Sequence, residues 1–280
     1  MELIHVELLH GLILGRPGSG KSTLIATMPK RLLVIMTDPP GKEQPYLDRG
    51  IAGAIEAGPN CYFRNVYSKK DPKEWIIRIE FWGEPNPAEP SMYAHWIARS
   101  VRLEQDIREW GIKSIALDTA TYFELCARYY SLGRLNRDVK DGRQHYAFST
   151  NACEQYIMMR FPNFLLCNSF VLCHIDDQKD ESEGAEGGVV TRKMAALPGK
   201  MPNRVSGGFG EVWRVYVDEG GNRVLQTQQR PNNTYDCKSL LGVPDFTYPH
   251  YEAVKKELEA RAAAKEKADG EVVSKGDNTK

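Results

Sequence analysis

The chain has 280 residues, enough for one large domain with a tail, and at 41% hydrophobic and 26% charged its composition is that of an ordinary globular protein. Lys plus Arg and Asp plus Glu balance at 37 each, which excludes a global positive field, so any nucleic-acid contact must be local. The six cysteines form no close CxxC pair, which favours a reduced intracellular compartment over a disulfide frame or a zinc site, and neither a signal peptide nor a membrane span is legible.

Residues 2–9 read as a lead-in strand and residues 11–14 as a buried strand. There follows Gly15-Arg16-Pro17-Gly18-Ser19-Gly20-Lys21-Ser22-Thr23. Two glycines bracketing four residues, then Lys and Ser, is the spacing of a phosphate-binding loop. The glycines let backbone amides approach phosphate oxygens. Lys21 supplies a positive charge for the terminal phosphates, the Ser22 hydroxyl suits Mg²⁺, and a helix over 21–28, stopped by Pro29, aims its amino end at the anion. A second buried strand is expected over 31–37. It ends in the turn Asp38-Pro39-Pro40-Gly41, which places Asp38 at the carboxyl edge of a parallel sheet, where ligands bind.

Residues 50–65 carry no clear pattern. The alternation over 75–82 predicts an edge strand, and residues 91–110 predict one long helix that buries Trp96, Val101, Leu103 and Ile107 and is closed by Gly111. Residues 113–119 form an apolar strand ending at Asp118, whose carboxylate is suited to orienting the Mg²⁺ held by Ser22 through its hydration shell. Thr119 follows, not Glu, so the carboxylate that activates water must come from elsewhere, and Asp38 is the best placed.

A helix is expected over 121–132, a mobile basic loop over 133–143, and a helix over 144–159. The strand 169–174 carries His174 to the same edge as Asp118, in position to sense the γ-phosphate. Residues 176–188 are acidic and Gly-rich and predict a flexible loop. Strands are expected at 211–217 and 223–228 around a Gly-Gly-Asn turn, then a helix over 251–268 and a disordered polar tail. These boundaries predict a domain over 1–250 and an appendage over 251–280.

Taken together, residues 15–23, the strand ending at Asp118, the strand ending at His174 and the runs 197–200 and 211–214 resemble the phage-encoded RecA-like P-loop ATPases, a family of nucleotide-binding and single-strand-annealing recombinases. The resemblance implies an α/β RecA-like P-loop NTPase core, with a mostly parallel central sheet flanked by helices and the His174 strand between those of the phosphate loop and Asp118. It implies ATP and Mg²⁺ as ligands, single-stranded DNA as partner, self-association into a ring or filament, and the host cytoplasm as location. By the same resemblance the loops at 133–143 and 176–193 face DNA, with Arg134, Arg137, Lys140 and Arg143 on phosphates and Tyr129 and Tyr130 near the bases. Lys238 would reach a neighbour's nucleotide, although Leu240 stands where the family's late motif has Arg. The phosphate loop alone also suits a nucleotide or small-molecule kinase, or a non-catalytic scaffold that binds nucleotide.

Overall fold

The computed structural model describes residues 8–135, 138–180, 189–229 and 237–276, with the backbone alone at 177–180, 189–193, 262 and 265–276. In chain order the strands are β1 (His10–Leu14), β2 (Leu32–Met36), β3 (Ile51–Ala57), β4 (Tyr62–Tyr67), β5 (Trp75–Phe81), β6 (Ser114–Asp118), β7 (Asn168–Cys173), β8 (Ile175–Asp180), β9 (Val189–Ala195), β10 (Glu211–Val217), β11 (Arg223–Gln226), β12 (Lys238–Ser239) and β13 (Phe246–Thr247). The α-helices are α1 (Lys21–Ile25), α2 (Gln44–Leu47), α3 (Met92–Val101), α4 (Leu103–Glu109), α5 (Ala120–Tyr130), α6 (Gly142–Cys153), α7 (Met201–Arg204) and α8 (Tyr251–Gly276).

The main sheet runs β13-β11-β10-β1-β7-β6-β2-β5-β4-β3, with β12 also on β10. Every pairing from β10 to β5 along that path is parallel. The inner four, β1, β7, β6 and β2, are buried almost throughout and carry short apolar runs because both faces are covered. Leu12, Leu14, Leu33, Ile35, Ile115 and Leu117 pack on one face with residues of α3, α4, α5 and α6. On the other, Ile13, Val34, Ala116, Phe170, Leu172 and Trp213 pack with Leu24, Tyr46, Tyr251 and Val254. β7 lies between β1 and β6, with His10 to Leu14 level with Ser169 to Cys173.

Several expectations are corrected. β5 is an interior strand, between β2 and β4, because the β3–β4 hairpin extends the sheet beyond it. That hairpin occupies the stretch with no clear pattern, where Ala, Gly and Asn make strand propensity weak and pairing decides. The long helix over 91–110 is two helices that meet at Arg102, which leaves Val101 75% exposed while Trp96, Leu103 and Ile107 are buried as expected. The break accompanies a buried ion cluster, in which Arg99 holds Glu80 at 3.1 Å and Asp106 at 2.6 Å. α1 ends at Ile25, before the expected 28.

Beyond α5 a π-helical turn, Ser131–Leu135, replaces the start of the expected loop, and α6 continues into a second one, Glu154–Arg160. β8 and β9 pair antiparallel, so the acidic stretch begins as a hairpin arm; residues 181–188 lie outside the described ones. The lead-in strand expected over 2–9 falls mostly outside them too, and Leu8 and Leu9 are not in a strand. α8 starts with Tyr251 and Val254 in the core and runs to Gly276, past the expected end at 268. All six cysteines are free. Among the described residues no helix is long and apolar enough to cross a membrane.

Candidate nucleotide and metal site

The loop between β1 and α1 has the backbone that its glycines allow. Gly18 and Gly20 stand at φ +77° and +104°, where a side chain is strained. At Gly15 a Cβ would fall 2.5 Å from both Ser19 Oγ and Val215 O, so only glycine fits beneath the loop. Lys21 is 5% exposed and its ammonium spans the loop, donating to Gly15 O at 2.8 Å and Arg16 O at 3.1 Å. Burial lowers its pKa, and the carboxylates of Asp118 and Asp38 and the Cys173 thiol oppose that shift. Arg16, Pro17 and Gly18 are exposed at the rim, Ser19 is buried with no hydrogen-bond partner for its hydroxyl among the described residues, and Ser22 and Thr23 are half-buried.

The parallel registers bring three strand ends to this loop. Gly15 N donates to Cys173 O at 3.2 Å, so the loop begins where β7 ends and His174 follows. His174 Nδ1 lies 3.4 Å from Lys21 Nζ, its backbone N–H donates to Thr121 Oγ1, and its ring sits edge-on to Tyr122. Burial, then Lys21, lowers its pKa, which keeps the imidazole neutral at pH 7. At the end of β6, Asp118 is 2% exposed and its Oδ2 accepts from Ser22 Oγ at 2.8 Å.

The same oxygen accepts from the hydroxyl of Tyr46 on α2, at 2.6 Å. Burial pushes the Asp118 carboxyl up, the Tyr46 hydrogen bond holds it down, and nearby Asp38 adds to the rise. Thr37 N donates to Asp118 O, which keeps the ends of β2 and β6 level. One residue on, Asp38 Oδ1 accepts from Thr119 Oγ1 at 3.0 Å, and Thr119 is held in turn by Thr37, whose hydroxyl donates to its carbonyl at 2.6 Å. Burial raises the Asp38 pKa too, against the Thr119 hydrogen bond and the charges of Lys21 and Lys42.

The donors here are hard oxygens, a hydroxyl and a carboxylate, and among the described residues no three His, Cys, Asp or Glu side chains converge on one point. Few protein ligands beside a phosphate cradle fit Mg²⁺, which keeps several waters and takes its remaining ligands from substrate phosphates. Lys21, Ser22, Asp118, His174 and Asp38 are thus brought together by the fold. Tyr46 and the Thr37–Thr119 brace escaped the sequence reading. Tyr46 lies in a turn-rich segment and gives no signal there, whereas Thr119 stands out in the sequence only as the absence of Glu.

Other expected site residues are elsewhere. Arg134 donates to Pro90 O at 3.2 Å, Arg143 is paired with Asp141 at 3.0 Å, Lys140 is exposed, and Arg137 lies outside the described residues. Tyr130 packs 5.6 Å from Tyr93 and 6.4 Å from Phe148, so its ring belongs to the aromatic core and is not free to stack on a base. Lys238 on β12 is level with Val212, which pairs with Leu12, so within its own chain it stands near the amino end of the sheet, away from the loop.

Comparison with curated protein sequences gives no match. A protein-family model described as an AAA domain matches residues 8–235, a span that contains the phosphate loop, Asp38, Asp118 and His174. The chain therefore belongs to this AAA-domain family, and its mostly parallel sheet flanked by helices is the core of an α/β P-loop NTPase.

Proposed function

We propose that the protein is a Mg²⁺-dependent, RecA-like ATPase that acts on single-stranded DNA in phage recombination, annealing or replication, self-associated as a ring or filament. The observation that carries the ATPase is the Ser22–Asp118 hydrogen bond at 2.8 Å beside a buried Lys21, because it joins the phosphate loop to the metal-orienting acid. The strand order β10-β1-β7-β6-β2, with the His174 strand between the phosphate-loop and Asp118 strands, is the order that a RecA-like core calls for.

In this scheme the loop amides and Lys21 stabilise charge that builds on the β- and γ-phosphates. Ser22 and Asp118 would hold Mg²⁺, which supplies charge neutralisation between those phosphates when bound. Asp38 accepts a proton from the water whose oxygen bonds to the γ-phosphorus as the bond to the β–γ bridging oxygen breaks. Thr119 Oγ1 orients that carboxylate through Oδ1. His174, neutral and next to Lys21, would donate to a γ-phosphate oxygen and so report its presence.

The DNA assignment rests on the resemblance and on the exposed basic residues Arg134, Lys140 and Arg143; for the last, DNA phosphate would compete with Asp141. The test is the ATPase rate with and without single-stranded DNA, at two salt concentrations, for wild type and Lys21→Ala. We expect a rate that DNA raises, that salt suppresses, and that Lys21→Ala removes. A rate indifferent to DNA, without salt-sensitive binding, would end the DNA assignment. Tight nucleotide binding without turnover would leave a nucleotide-dependent scaffold instead.

A further inference from the structure

Arg223 opens β11, on the opposite side of the phosphate loop from His174, Asp118 and Asp38. The sheet order fixes this, because β1 has β7, β6 and β2 on one side and β10 and β11 on the other. Its side chain lies across Gly20: a Cβ built there would meet Arg223 Cδ at 2.7 Å and Nε at 3.0 Å. Arg223 is exposed, and among the described residues its guanidinium has no hydrogen-bond or ion-pair partner.

The backbone beneath it is firmly held. Arg223 pairs with Val217 at the end of β10, and its carbonyl accepts from Tyr248 N at 2.7 Å. The nearby Asp218 carboxylate is occupied within the turn, where it accepts from Asn222 N at 2.7 Å. A guanidinium on a fixed strand, against a loop already served by Lys21 and denied a carboxylate, lacks one thing: an anion. A planar fork of donors suits phosphate oxygens in particular.

We infer that Arg223 is a second cationic contact to the bound nucleotide, made in cis to the phosphates that stay behind after hydrolysis. This inference rests on the nucleotide-binding reading above and deepens it. The transferred phosphate belongs to the side of Asp38, Asp118 and His174, so an arginine across Gly20 on the other side reaches the α- and β-phosphates. It therefore serves ADP as well as ATP. It also ties the β10–β11 hairpin to the occupancy of the loop.

The test is calorimetric titration of ADP and ATP into wild type, Arg223→Ala, Arg223→Gln and Arg223→Lys at two salt concentrations. Loss of one charge-assisted contact should weaken both nucleotides by about tenfold in the Ala and Gln variants, and by less in Lys. The Gln variant keeps a stem over Gly20 and drops the charge, so it separates electrostatics from packing. In turnover, KM for ATP should rise by more than kcat falls. ADP affinity within twofold of wild type in both neutral variants, or a loss confined to ATP, overturns the inference and leaves the nucleotide reading intact. A wild type that takes up neither nucleotide overturns both.

Discussion

The hydroxyl of Tyr46 donates to Asp118 Oδ2 at 2.6 Å, on the same oxygen that accepts from Ser22 Oγ at 2.8 Å. Two neutral donors on one buried carboxylate oxygen fix its direction and leave Oδ1 for the metal's water shell. Because burial, and then the neighbouring Asp118 charge, pushes the Tyr46 phenol up, it stays a donor at every working pH. Tyr46→Phe should therefore raise the Mg²⁺ needed for half-maximal ATPase activity by about tenfold, the worth of one hydrogen bond to a charged group. Metal-free nucleotide binding should be untouched. An unchanged Mg²⁺ titration would mean that Tyr46 only packs.

Asp38 is the test of how water is activated. Asp38→Asn keeps the Thr119 contact and removes the base, so kcat should fall by about 10²- to 10⁴-fold with ATP binding retained. Asp38→Glu should keep part of the rate, since the longer side chain is still a base at the same strand end. Equal rates for Asn and wild type would move the role to another residue.

The pH profile follows from two groups. Burial raises Asp38, so its deprotonation sets an acid limb above the ordinary carboxylate value of about 3.9. His174 is lowered from about 6.5 by burial and Lys21, and its protonation beside Lys21 adds a second acid loss below that value. His174→Gln should remove that component, which leaves a shallower limb at lower pH. A limb of unchanged slope and position in the variant would show that His174 does not titrate in turnover.

Asp118 bears on stability in the opposite sense from a paired surface acid. Its folded pKa is raised, so the folded state binds the proton more tightly than the unfolded chain, and stability falls as pH rises from about 3.9 through the raised value. At pH 7 the ionised form is a cost of function. Asp118→Asn keeps an acceptor for Tyr46 and Ser22, and should raise the Tm of the nucleotide-free protein by about 2–4 °C for each kcal/mol recovered. ATPase activity should be lost. A lower Tm at pH 7, with a normal Tm at pH 4, would contradict this.

Gly15→Ala probes the loop's floor. The new methyl would sit 2.5 Å from Val215 O, a backbone atom of β10 that cannot swing aside. Overpacking of this kind costs about 1–3 kcal/mol, and nucleotide affinity should fall with it. Gly18→Ala faces no neighbour within 4 Å and meets only the strain of φ +77°, so it should be milder in calorimetry and in thermal melts.

The central strands and the loop were legible because each is local. Apolar runs over 11–14, 31–37, 113–119 and 169–174 are what strands buried on both faces must be, and the Gly and Lys spacing of 15–23 names its own chemistry. Asp118 and Asp38 followed from strand ends, since an acid that stops an apolar run stands at a sheet edge. The sequence was silent where partners decide. Strand β3, Ile51–Ala57, owes its state to pairing with β4, and the pairing of β4 with β5 moved β5 from the edge to the interior. The break at Arg102 accompanies the Glu80–Arg99–Asp106 cluster, whose members are 19 and 7 residues apart and have no joint pattern in the chain. Tyr46 meets Asp118 across 72 residues, and Arg223 meets Gly20 from a strand two places away from β1 in the sheet. Sequence determined the residue types that can cradle a triphosphate and the strands that carry them. Only tertiary structure decided which side chains brace them, because a hydrogen bond or a steric contact between distant residues exists only once strand order and register have brought them within reach.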